Sequence, residues 1–130
     1  MDIDKTQLQK SISIDVYPQY LPEQSNEDAQ EFTFAYTVDI TNHGENEVRL
    51  LERHWIITDG YNKVREIEGE GVIGKQPNIR PGETFSYSSG AILSTKTGLM
   101  EGSYKMLADN GLSFNAIIKP FALIHPKSLQ

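Results

Sequence analysis

The sequence predicts an all-β fold, a two-sheet antiparallel β-sandwich, on three observations. The first is a period of two. From Glu31 to Asn42 the side chains Phe32, Phe34, Tyr36, Val38 and Ile40 alternate with polar or small residues, the pattern of a strand with one buried and one wet face. The second is the regular return of turn signals, among them Asn42-His43-Gly44, Asp59-Gly60, Pro81-Gly82 and Asp109-Asn110-Gly111, which space seven or eight short strands. The third is that no segment sustains a helical period beyond a turn or two. A small barrel meets the same conditions and stays open as the alternative.

Taken in order, Ile12, Ile14 and Val16 alternate with Ser11, Ser13 and Asp15, and Pro18 limits further pairing of that strand. The polar stretch from Pro22 to Gln30 reads as a loop before the strand at Glu31 to Asn42. Val48 to Thr58 is apolar and β-branched enough for a central strand, with Trp55 and Ile57 on one face and His54 and Ile56 on the other. Lys63 to Glu68, Thr84 to Ser88 and Ser103 to Leu107 are shorter strands. The last of these forms a hairpin with Leu112 to Ile118 across Asp109-Asn110-Gly111, and the final strand breaks or bulges near Pro120. Residues 11–126 read as one domain, residues 1–10 as a flexible segment and residues 127–130 as a tail.

Composition narrows the chemistry. A chain of 130 residues can bury a sizeable core unaided. With no cysteine, disulfides, thiolate zinc sites and thiol nucleophiles are excluded. The start MDIDKTQLQKSIS carries acidic residues and lacks an apolar stretch, so no signal peptide or membrane anchor is expected, and a cytoplasmic location fits. Twelve Lys and Arg against eighteen Asp and Glu give a net charge of −6, and the cations are scattered from Lys5 to Lys127 without a basic stripe. Nucleic-acid binding therefore has no evident source of affinity.

Gly69, Gly71 and Gly74 spell G-x-G-x-x-G within GEGVIGKQPNIRPG. A dinucleotide site needs that pattern to open a helix whose N-terminus holds a pyrophosphate. Here Pro77 and Pro81-Gly82 follow too soon, so the stretch reads as a structural loop, with a phosphate contact as the sharper alternative. His43, His54 and His125 fall in a turn, a strand and the C-terminal tail, with no two at ligand spacing. A folded site of His54 with Asp59 or Glu52 is the metal reading. An unliganded strand histidine is the plainer one. Ser88-Ser89-Gly90 lacks the frame of a nucleophile elbow, and Glu66, Glu68 and Glu70 read as a solvated strand face. No nucleophile, base and anion hole come together, so a binding module is expected and not an enzyme. Trp55 is read as core packing.

The segments EFTFAYTVDITN, LLERHWIITDG, GEGVIGKQPNIRPG, YSSGAILSTKTGLMEGSYKM and LSFNAIIKPFALIHP, in that order and spacing, resemble the bacterial ApaG family from about Ser11 to Pro126. The triple glycine before Gln76-Pro77, the Pro81-Gly82-Glu83 turn and the string Gly98-x-Met100-x-Gly102-x-Tyr104 carry the likeness. Lys119-Pro120-Phe121 and Ala122 depart from the family's usual pattern and touch only the last strand. The resemblance implies a fibronectin type III-like or immunoglobulin-like sandwich. It also implies a link to cobalt tolerance and magnesium efflux and, through similar domains in F-box and polymerase-interacting proteins, a protein-binding module. It supplies no metal motif to map, so neither metal nor cofactor is expected. An unidentified protein partner is expected at a surface built from His54, Asp59, Gly69, Glu70, Gly71, Gly74 and Gln76, with no membrane insertion and no nucleic acid.

Overall fold

A computed structural model describes residues 3–129. Eight strands form two antiparallel sheets: β1 (Ile12–Tyr20), β2 (Phe32–Asn42), β3 (Val48–Asp59), β4 (Val64–Glu70), β5 (Asn78–Ile79), β6 (Thr84–Leu93), β7 (Thr97–Ala108) and β8 (Ser113–Ile124). One sheet has the order β1-β2-β6. The other runs β4-β3-β7-β8, with the two-residue β5 also paired to β3. The sheets close on one core. Trp55 of β3 meets Tyr36 of β2 edge to face at 5.4 Å, and Tyr87 of β6 meets Tyr104 of β7. The sandwich predicted from the period of two is the observed fold, and the barrel alternative falls away.

The alternation in β2 behaves as its sequence dictates. Phe32, Phe34, Tyr36, Val38 and Ile40 are all buried, and every residue between them is partly exposed. In β3 a bulge at Leu51 resets that alternation, because Leu50 pairs with Met106 and Glu52 with Lys105. The extra residue turns Arg53, Trp55 and Ile57 toward the other sheet and leaves His54 on the outer face. A second irregularity lies where β8 was expected to break. Met100 faces Phe121 and Gly102 faces Ile118, so Lys119 and Pro120 stand against Glu101 alone. Proline has no N–H for a ladder, and a bulge is where it does least harm.

Three differences have physical causes. β1 does not stop at Pro18 but pairs through to Tyr20, which an edge strand allows because the missing donor faces no neighbour. β6 and β7 run longer than expected because Ser88-Ser89-Gly90 and Thr97-Gly98 continue their strands instead of ending them. Of the segment 1–10 read as flexible, Lys5 onward enters helix α1 (Lys5–Ser11). Asp4 accepts from the Gln7 amide while the Gln7 side chain accepts from the Asp4 amide, a reciprocal cap. Leu8 is 1% exposed and joins the core, and Gln9 donates to the Asn115 carbonyl of β8. A helix of under two turns with one buried residue leaves no periodic signal.

Candidate functional site

The glycine-rich stretch is a turn, not the mouth of a helix. Val72 and Lys75 exchange both backbone hydrogen bonds, at 2.8 and 2.9 Å, around Ile73 and Gly74 with φ of 45° and 76°. Two consecutive positive φ values define a type I′ turn. Gly71 also has positive φ, and a Cβ there would overlap the Lys75 carbonyl oxygen. The Gly71 amide donates to Leu51, and the Gln76 side chain donates to the same carbonyl at 2.9 Å. The amides of Gly71, Val72 and Lys75 are thus already spent on protein acceptors, which leaves few for a phosphate.

Asp59 lies at the far end of β3, where its carboxylate accepts from the amides of Tyr61 and Lys63. It shapes the β3/β4 turn and is not brought to His54. On the outer face of the sheet, β3 and β4 pair so that His54 stands opposite Glu68, with Glu66 next to it. The His54 Nε2 lies 3.6 Å from Glu68 and 3.9 Å from Glu66, and the three ligand-capable atoms all fall within 4.8 Å of one another. The imidazole is 34% exposed, while its Nε2 is shielded from solvent and has no hydrogen-bond partner. Glu70, Gly69, Ser103 and Lys105 line the same shallow cleft of about 440 Å³. The metal reading joins His54 to Asp59 or Glu52. Glu52 lines the same cleft, but the carboxylates that converge on His54 are those of Glu66 and Glu68. The signal was in the sequence, since residues equidistant from Tyr61 face each other across this hairpin.

His125, assigned to a tail, is buried at 3% exposure, with its ring 4.4 Å from that of Tyr20 and edge-on to Phe32. Its Nδ1 accepts from the Lys127 amide, which places the proton of the neutral ring on Nε2, 3.3 Å from Glu27. Glu27 also accepts from the Tyr20 hydroxyl, and that hydrogen bond first, with the His125 ring beside it second, holds its carboxyl below the ordinary range. His43 contacts Ser13. The three histidines therefore have three separate sets of neighbours.

The opposite face of β3 and β4 presents something the sequence reading did not single out. A sheet of four long strands packs on a sheet of three, and β4 has no buried residue. Arg65 and Ile67 pair with Ile57 and Trp55 and share their face, so they project beside the other sheet. Between β4 and the free edge of β6 lies a slot of about 520 Å³, floored by Tyr36, Trp55 and Met100 and walled by Arg53, Arg65 and Ile92. Trp55 is 2% exposed, so it serves the core first, as expected, and the slot second. Arg65 reaches across to donate to the Ile92 carbonyl, and Arg53 donates to the carbonyls of Glu70 and Gly71. Gly69 makes room for Arg53, because a Cβ at that position would sit 2.7 Å from the guanidinium.

The family model described as the ApaG domain matches residues 22–108. The chain belongs to the ApaG family. Protein ApaG of Pseudomonas fluorescens is 48% identical over 119 residues, covering 92% of this chain and 94% of its own. Protein ApaG of Dechloromonas aromatica matches to the same extent. A crystal structure from Bordetella pertussis, provisionally named an ApaA protein, superposes with a TM-score of 0.87 at 46% identity, covering 89% of this chain and 94% of that one. In this ApaG domain the matched region contains the whole lining of the slot between β4 and β6, and that of the outer cleft at His54 except Asn115. No helix among the described residues is long and apolar enough to cross a membrane.

Proposed function

We propose that this chain is a cytoplasmic, non-enzymatic binding module that docks another protein in the slot between the β4 and β6 edges. Its family's tie to cobalt and magnesium then runs through that partner and not through a reaction. One observation carries this reading: two free strand edges flank a slot with an aromatic floor and exposed Ile67 and Ile92 on its rim. A free edge offers unpaired backbone donors and acceptors to an extended segment, and adjacent apolar pockets select its side chains. The other motifs are committed to the fold. Ser88 of β6 shares a hydrogen bond with Thr37 of β2, and the glycine turn spends the amides of Gly71, Val72 and Lys75 on protein acceptors.

The test is retrieval followed by reconstitution. A protein captured from a cell extract by the wild-type chain, then purified, should bind directly in calorimetry and should lose that binding to an Ile67→Glu, Ile92→Glu double variant. Direct binding that survives both substitutions moves the docking site elsewhere.

A second reading, a direct divalent-cation site, is favoured by the convergence of His54, Glu66 and Glu68. Both carboxylates are mostly exposed, and such groups hold cations weakly unless further ligands close the shell. It ranks below the protein-docking reading for that reason.

A further inference from the structure

We infer that the partner segment taken by the β4/β6 slot is an acidic, extended peptide that pairs with the free edge of β6 and presents carboxylates to Arg53 and Arg65. This deepens the docking reading above and rests on it. The argument is one of charge. The chain carries a net −6, yet the slot's lining holds two arginines and no Asp or Glu. Among the described residues neither guanidinium lies within 4.0 Å of a carboxylate. Both are held only by backbone carbonyls, neutral acceptors that a carboxylate outcompetes because charge-assisted hydrogen bonds are roughly twice as strong.

The geometry specifies the strand. Arg65 donates to the Ile92 carbonyl, so that carbonyl faces the free edge of β6. By the period of two, the backbone groups of Gly90 and Ser88 face the same way. In the free protein Arg65 thus plugs the edge that would otherwise recruit strands indiscriminately. An acidic peptide can release the plug by offering Arg65 a better acceptor. The same step uncovers the Ile92 carbonyl for pairing. A neutral strand peptide has no such exchange to offer. Gly69 belongs to this device, since it lets the Arg53 guanidinium lie against β4 beside the slot.

Three synthetic ten-residue peptides test it on the full chain by amide NMR: alternating Glu and Val, alternating Lys and Val, and alternating Ser and Val. The expected result is a shift of the Ser88, Gly90 and Ile92 amides by the Glu peptide, weakened by added salt. Arg65→Glu should reduce affinity on the order of tenfold, since a like charge then faces the peptide. Arg65 is exposed, so this variant should fold. Gly69→Ala displaces the far end of a flexible side chain and should weaken binding with the fold intact. Equal shifts from the Lys or Ser peptide would overturn the acidic assignment while leaving the docking site in place. No shift on the β6 edge from any peptide overturns the inference, and the retrieval experiment then decides the docking reading separately. Inorganic phosphate that perturbs the arginine side chains as strongly as the Glu peptide, with no edge amide moving, overturns it in favour of a small-anion pocket.

Discussion

Gly102 of β7 stands opposite Trp55 of β3, and a Cβ on it would overlap the His54 carbonyl oxygen and sit 3.1 Å from the Trp55 Cα. The obstruction is backbone, which cannot swing aside as a side chain can. β3 and β7 therefore approach here only because the residue is glycine, next to the bulge that separates Met100 from Gly102. Gly102→Ala should cost about 3 kcal/mol, the upper part of the overpacking range. Urea unfolding is the measure. A midpoint unchanged within error would show that the two strands separate at little cost, and with them the shared wall of the outer cleft and the slot.

Tyr87 and Tyr104 share a buried hydroxyl–hydroxyl hydrogen bond between the sheets. Burial, the largest cause, pushes both phenols well above their ordinary value of 10.0. The sign follows. The folded state holds these protons more tightly than the unfolded chain, so the associated stability is complete below about pH 10 and declines as pH rises further. Alkaline unfolding should coincide with the appearance of phenolate absorbance. Tyr87→Phe should cost about 1 to 3 kcal/mol by leaving a buried hydroxyl unpaired, while the double change of both to Phe should cost less than the two single changes added together. Strict additivity would mean that the two hydroxyls are satisfied independently.

How much of this was legible depended on whether the signal was local. The alternation of Phe32 to Ile40 is a property of consecutive residues, so it announced β2 outright and, with the turns, the sandwich. The burial of Trp55 and the bulge at Lys119-Pro120 were legible for the same reason. The bulge at Leu51 was not, because one inserted residue has no composition of its own and is defined only by its neighbour on β7. His125 reads as tail until its partners Tyr20, Phe32 and Glu27 arrive from a distant part of the chain. In the sequence Arg53 and Arg65 are two among many scattered cations. They share a slot through the β3/β4 pairing and the shortfall of one strand in the opposite sheet, a feature of sheet order that no single segment carries.

The glycine turn yields a prediction that separates conformation from ligand. Gly71→Ala places a methyl group on a residue with φ of 63° and into the Lys75 carbonyl, so it should destabilise by about 1 to 3 kcal/mol. Nucleotide affinity, measured on the wild type and the variant, should be weak and equal. A firm affinity for a nucleoside triphosphate that disappears in the variant with the melting temperature unchanged would return the motif to phosphate binding.

The last prediction concerns cations. His54, Glu66 and Glu68 converge closely enough to share an ion, yet only one of the three is an imidazole and the two carboxylates are 61% and 75% exposed. Cobalt gains most from nitrogen or sulfur ligands, so a site of one nitrogen and two wet oxygens should hold it with a Kd of about 100 µM or weaker, under about 6 kcal/mol. Magnesium gains little from imidazole and keeps its waters, so it should bind more weakly still and ignore His54. Paramagnetic broadening by Co²⁺ should be confined to His54, Glu66, Glu68 and their neighbours, and His54→Ala should abolish it without lowering the melting temperature. Mg²⁺ should compete poorly for the same signals. Calorimetry reads the strength directly. Stoichiometric Co²⁺ binding at micromolar affinity or tighter, lost in His54→Ala, would mean that the surrounding cleft supplies further ligands, and would make the outer face of β3 and β4 a metal site in its own right, with no need of a partner to connect this fold to cations.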